Sequence, residues 1–245
     1  MKKVFSSIKN YFSEWNWFEL SFIFFFEILY IVLGIIFKQD FFSCFYSMTI
    51  LLCAFFIAKG KWYAYIFGII GILTYCYLSF TQQYWAEAIW HLVFTVPMYV
   101  VSLINWFRNQ QNKEVKIRKI SKLETILFII GLIVMCAAIW LVLYLVKAPQ
   151  PLVSAFSVTL SAMANYLAMR RSDFSLIAFC FDDIFIIVLW LIPVIQGEVV
   201  LLNVAITMFA FLINDIYGVI NWRNMKAKQA ADSSLFNKSA TTEQN

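Results

Sequence analysis

Long apolar stretches of similar length follow one another along this chain, separated by short polar gaps. Eight of them, at 18–37, 41–58, 63–80, 86–107, 125–146, 150–169, 174–195 and 199–222, have the roughly 17–25 residues a helix needs to cross about 30 Å of hydrocarbon. The pattern predicts an all-α membrane protein of about eight transmembrane helices. Two stretches close on the same residues: Asn105-Trp106 ends the fourth and Asn221-Trp222 the eighth, with Arg108 and Arg223 directly beyond.

The polar gaps say which way the spans run. Of the 19 Lys and Arg, 17 fall in the N-terminus, the Ala58-Lys61 turn, the 108–124 loop, the Arg170-Arg171 pair and the C-terminal tail, while Lys38 and Lys147 lie in the alternate gaps. Under the positive-inside rule, this places both termini in the cytoplasm of a multi-pass plasma-membrane protein. The gaps also repeat. Lys59 and Lys61 precede the third span as Arg170 and Arg171 precede the seventh, Glu87 mirrors Glu198 at an offset of 111, and the Asn-Trp pairs follow at 116. Spans two to four and six to eight therefore form two three-span units of one orientation, joined by the span at 125–146. Parallel repeats of this kind are a transporter signature. The organisation read from the sequence is an N-terminal segment and extra helix at 1–40, a first repeat at 41–107, a loop and linker helix at 108–149, a second repeat at 150–222 and a polar, disordered tail at 223–245.

Composition agrees and narrows the class. The 245 residues are 62% hydrophobic and 13% charged, with mean hydropathy +0.77, which leaves little for a soluble domain. The net charge of +5 sits in membrane-flanking gaps and no nucleic-acid motif accompanies it, so the expected large partner is the lipid bilayer, not nucleic acid. Cys44, Cys53, Cys76, Cys136 and Cys180 all lie in apolar runs without the close pairing of metal or redox sites, and read as packing residues. No metal or cofactor is implied. The first 19 residues mix Lys2, Lys3 and Lys9 with aromatic residues and read as an interfacial amphipathic segment.

Ionisable groups inside a bilayer cost at least a few kcal/mol each, so they normally face a cavity or a partner. The intramembrane candidates are Glu27, His91, Asp182, Asp183 and Asp215, and since neighbours on a helix point about 100° apart, at most one of Asp182 and Asp183 aims squarely at a central path. Asn214, Tyr217, Gly218, Asn221 and Trp222 fall along one helical stripe that offers amides, a phenol and an indole, suited to a sugar joined to an aromatic base. Helix cross-linking by the amides and interfacial anchoring by Trp106 and Trp222 are the structural readings of the same residues. His91, Thr95 and Tyr99 repeat the theme one turn apart, with Pro97 as a kink or hinge. The H-E-x-x-H and G-x-S-x-G spacings are absent, and an enzymatic role is not expected.

Several strings together resemble the PnuC family of nicotinamide riboside transporters: Ala58-Lys59-Gly60-Lys61, Tyr65-Ile66-Phe67-Gly68, Glu87 ten residues before Pro97-Met98, and Leu212-Ile213-Asn214-Asp215-Ile216-Tyr217-Gly218-Val219-Ile220-Asn221-Trp222. The resemblance implies a three-one-three arrangement like that of the SWEET sugar transporters, a central site for a vitamin precursor, and passage by facilitated diffusion. It adds Asp183 to Asn214, Tyr217, Asn221 and Trp222 as substrate-binding candidates, beside His91, Thr95, Tyr99 and Trp106. A homo-oligomer, such as a trimer, is also expected. The chain departs from the family where a Gln-Trp-x-x-Trp string is common and Ser175-Leu176-Ile177-Ala178-Phe179 stands instead; Gly71 and Tyr99 also occupy positions where amides are common. These departures leave thiamine or another vitamin as an alternative cargo. A non-transporting receptor or assembly subunit, and a proton-coupled carrier using Asp183 or Glu27, are the other readings. Of the two repeats, the second is expected to hold more of the substrate and the first to complete the gate.

Overall fold

The computed structural model describes residues 15–38, 41–81, 88, 91–147, 151–196 and 202–242. Among them are eight α-helices: α1 (Trp17–Ile36), α2 (Phe41–Ala58), α3 (Ala64–Thr81), α4 (Val96–Arg108), α5 (Lys122–Leu145), α6 (Pro151–Met169), α7 (Phe174–Ile195) and α8 (Leu202–Thr242). They coincide with the eight apolar stretches. By length and composition α1, α2, α5 and α6 each suffice to cross a membrane, and α3 adds the shorter apolar stretch Ala64–Tyr77. The expected amphipathic segment, Glu87 and Glu198 lie outside the described residues.

Local chemistry explains the element boundaries. Asn16 caps α1: its side chain accepts from the Glu19 N–H at 2.9 Å, while the Glu19 carboxylate accepts from the Asn16 N–H at 2.8 Å, satisfying donors that the first helical turn leaves free. Pro97 acts as the sequence suggests. It has no N–H and its ring crowds the carbonyl four residues back, and the chain ahead of it, His91–Thr95, widens into a π-helical turn before α4 begins.

Each three-helix set packs in sequence, α2 on α3 on α4 and α6 on α7 on α8, and the sets meet through α8 on α2 and α4 on α6. α5 lies against α6 and has no buried residue, while α1 leans on α2 and α8. The ends of α2 and α6 are built alike. After α2, Gly60 (φ +65°) donates to Ile57 O and Lys61 to Phe56 O, both at 2.9 Å; after α6, Arg171 (φ +60°) donates to Ala168 O and Ser172 to Leu167 O, again at 2.9 Å. Both are left-handed caps that turn the chain back while filling orphan carbonyls. The Asn-Trp pairs complete them crosswise. Asn105 Nδ2 donates to Met169 O (2.7 Å) and Trp106 Nε1 to Ala168 O (2.8 Å), whereas Asn221 Nδ2 donates to Ala58 O (2.9 Å) and Trp222 Nε1 to Ile57 O (3.0 Å). The last helix of each set thus holds the end of the first helix of the other. Both indoles are fully buried, with centroids 5.6 Å apart.

A small antiparallel hairpin, β1 (Gln110–Gln111) and β2 (Glu114–Val115), turns at Asn112-Lys113 and seals this end. Val115 donates to Gly60 O at 2.8 Å and Arg118 to Arg171 O at 3.0 Å, so the loop between the repeats bonds both left-handed caps. The tail corrects the expectation of disorder: α8 continues as helix to Thr242. Met225 is buried, Gln229 donates to Val115 O and accepts from the Ile117 N–H, Lys226 pairs with Asp173, and Asp232 accepts from Asn112. Docking on the hairpin and on the α6–α7 turn orders residues whose polar composition alone reads as unstructured.

Candidate functional site

Since α7 lies between α6 and α8, its adjacent carboxylates, 100° apart, each find a different neighbour. Asp182 turns to α6, where Ser157 Oγ donates to it at 2.9 Å and Ser161 is also within reach. Asp183 turns to α8 and lies beside Asp215, whose Oδ1 accepts from Asn214 Nδ2 at 2.8 Å. All four side chains are buried, and Asp183 Oδ2 and Asn214 Oδ1 have no hydrogen-bond partner among the described residues.

The first repeat faces this cluster with a different surface. Cys53 of α2 lies within electrostatic reach of Asp215, and it touches the same groove as Gly68 and Tyr99: a Cβ at Gly68 would meet Tyr99 Cε2 at 2.6 Å and Cys53 Sγ at 2.7 Å. From there the rings run in a chain. Tyr99 meets Tyr65 edge-on at 5.5 Å, Tyr65 meets Trp106 at 5.0 Å and 90°, and Trp106 meets Trp222. Residue by residue, the offsets that align the repeats set Gly71 and Ile72 against Asp182 and Asp183, and Met98 and Tyr99 against Asn214 and Asp215. One half of the centre is acidic and the other aromatic.

The sequence-predicted candidates divide accordingly. Asp183 and Asn214 meet at the acidic half and Tyr99 at the aromatic half. Trp106, Asn221 and Trp222 have their N–H groups committed to the crossed helix ends. Tyr217 points away from the centre, and its hydroxyl donates to Glu19 Oε1 of α1. Glu19 also pairs with Lys59 at 2.7 Å, and the ammonium lies 4.6 Å from the centroid of the Trp15 ring. Burial holds the Lys59 ammonium below its usual pKa, and the Glu19 carboxylate opposes the shift. His91 and Thr95 share one hydrogen bond, 3.0 Å between Nδ1 and Oγ1, and His91 packs on Tyr75 with ring centroids 4.9 Å apart, in the same α3–α4 contact as Tyr99 but further along it.

Sequence reasoning passed over Ser157, Ser161, Cys53, Tyr65 and the Glu19–Lys59 pair. Ser157 and Ser161 sit at i and i+4, a signal for one polar face of α6 that was available. Where the tryptophan string is lacking, Leu176 is fully buried and fills the space over Gly218, whose Cβ position lies 3.0 Å from Leu176 Cδ1 and 2.9 Å from Ala58 Cβ. Glu27, expected to bond between helices, has both carboxyl oxygens without a hydrogen-bond partner among the described residues. A cleft of about 660 Å³ lies elsewhere, between α5 and α6, with Leu127, Phe128 and Met163 in its wall and Glu124 and Arg170 at one end.

Helices of membrane-crossing length, clasped in two sets around a polar centre, define a multi-pass membrane transporter. The fold matches a solved one, described as the crystal structure of the vitamin B3 transporter PnuC, with TM-score 0.74 at 23% identity over 87% of this chain and 94% of that one. Residues 40–224 match the family model of the nicotinamide mononucleotide transporters, and the chain belongs to that family. A relative named nicotinamide riboside transporter PnuC, from Neisseria mucosa, is 23% identical over 223 residues, which cover 89% of this chain and 85% of the relative.

Proposed function

We propose that the protein carries nicotinamide riboside, or a closely related vitamin precursor, into the cell across the plasma membrane by facilitated diffusion. The observation that supports this is the divided centre: buried carboxylates and an amide on α7 and α8 opposite Tyr99 and Tyr65 on α4 and α3. An aromatic base with an attached sugar has one part for each half, a flat ring for the aromatic wall and hydroxyls for Asp183 and Asn214. The two sets act as parallel three-helix repeats linked by α5, with both termini cytoplasmic, so that the crossed Asn-Trp ties and the hairpin lie at the cytoplasmic mouth. In a homo-oligomer such as a trimer, α5 supplies the contact face, since none of its residues is buried within the protomer.

Purified protein in proteoliposomes is expected to take up labelled nicotinamide riboside saturably with no imposed ion gradient. Equal, unsaturable accumulation of nicotinamide riboside, thiamine and riboflavin would refute the reading. Leu176, seated where the family commonly has an indole, favours thiamine as the second cargo, and competition between unlabelled thiamine and labelled riboside orders the two.

A further inference from the structure

The carboxylates of this protein fall into two groups. Those near the chain's turns have cations: Glu19 pairs with Lys59, Glu114 with Lys61, Glu124 with Arg118 and Arg170, and Asp173 with Lys226. Asp182, Asp183 and Asp215 lie within the bundle, each about 5–6% exposed, and no Lys or Arg pairs with any of them among the described residues. Negative charge buried in this way carries a large desolvation cost unless a positive charge joins it.

A second observation is independent of the acids. Asn214 is 1% exposed, its amide nitrogen is spent on Asp215, and its Oδ1 is left without a partner beside the same carboxylates. Every open polar atom here is an acceptor: Asp183 Oδ2 and Asn214 Oδ1. The opposite wall is made of ring faces and edges, Tyr99 and Tyr65, which also attract positive charge. Asp182 differs from its neighbour, being held by Ser157 from α6.

Building on the transport reading above, we infer that the site selects its cargo by a fixed positive charge on an aromatic ring, with Asp183 and Asp215 as the selecting residues. The ligand class is a quaternary aromatic nitrogen heterocycle, such as an N-glycosylated pyridinium or an N-alkylated thiazolium. Neutral nucleosides and neutral reduced rings of the same shape are rejected, because binding them leaves the carboxylates buried without a counter-charge. In the first repeat the matching positions are Ile72 and Tyr99, so the selectivity belongs to the second repeat alone.

The test uses a matched pair, nicotinamide riboside and its 1,4-dihydro form, which share sugar, amide and ring size and differ in the ring's charge. Full-length protein in detergent is titrated with each, and with thiamine, by calorimetry. The expected result is that the oxidised form binds at least about tenfold more tightly than the reduced form. Asp183→Asn and Asp215→Asn, which keep side-chain shape, should each narrow that ratio to about twofold, while Asp182→Asn keeps it; unfolding temperatures identify any variant that has not folded. Equal affinity of the wild-type protein for both forms overturns the inference while leaving the transport reading standing. An unchanged ratio in both folded variants also overturns it. Binding of thiamine but neither riboside replaces the cargo and supports the charge rule, whereas no binding of any of the three sinks the transport reading together with this one.

Discussion

The two repeats are alike at one end and unlike in the middle. At the cation-rich end they agree bond for bond: left-handed caps at Gly60 and Arg171, paired carbonyls of Ile57-Ala58 and Ala168-Met169, and an Asn-Trp pair from the other set closing each. Midway along the helices, positions matched by the same offsets hold Ile72 and Tyr99 in one repeat and Asp183 and Asp215 in the other. The ends fix how the halves meet, which any exchange of chemistry must preserve. The centres are free of that constraint and have diverged into an aromatic and an acidic wall.

The largest effects should come from the shared end. Trp106→Ala and Trp222→Ala each remove a fully buried indole and a bond to a helix end, and each should lower stability by about 3–5 kcal/mol. Thermal unfolding in detergent checks this, and a difference between the two variants above about 1 kcal/mol would break the symmetry. The centre comes next. Asp183→Ala is expected to reduce saturable uptake into proteoliposomes by about 100-fold, worth about 2.7 kcal/mol, whereas Tyr99→Phe, which keeps its ring, should cost less than about tenfold. Asn105→Ala and Asn221→Ala leave one helix-end carbonyl short of a donor apiece and should each cost about 1–2 kcal/mol of stability. Smallest and most asymmetric are the caps. Gly60→Ala forces a Cβ into the left-handed region and to 2.9 Å from Met225 Cε, costing about 1–2 kcal/mol, while Arg171→Gly relieves the same conformation and should shift stability by under about 1 kcal/mol.

Much of the fold was legible because bilayer thickness sets span length and burial taxes charge: seven of the helices begin and end close to the predicted stretches, the described part of α4 among them. The site was harder to read. The stripe from Asn214 to Trp222 is a stripe on α8 but not on one neighbour, since α8 is packed by α1, α2 and α7 at once. Asn214 therefore meets the α7 acids, Tyr217 meets Glu19 of α1, and Asn221 and Trp222 reach the end of α2. Periodicity identifies a face of a helix; it takes the packing order to say what stands opposite. The helical tail was hidden for the converse reason, because the partners of Gln229 and Lys226 lie more than 50 residues away in sequence.

The crossed ties at Asn105-Trp106 and Asn221-Trp222 have a further consequence. Each repeat carries both a grip and the thing gripped, so that residue i of one meets residue j of the other and j meets i, which is the rule of an isologous dimer. A single unit of this design would bind a copy of itself through the same bonds twice over. Seen so, α5 is a tether that fixes stoichiometry and handedness, not the adhesive; chains severed in the exposed turn at Asn112-Lys113 and made as two fragments should find each other in the membrane and close on the same four side chains.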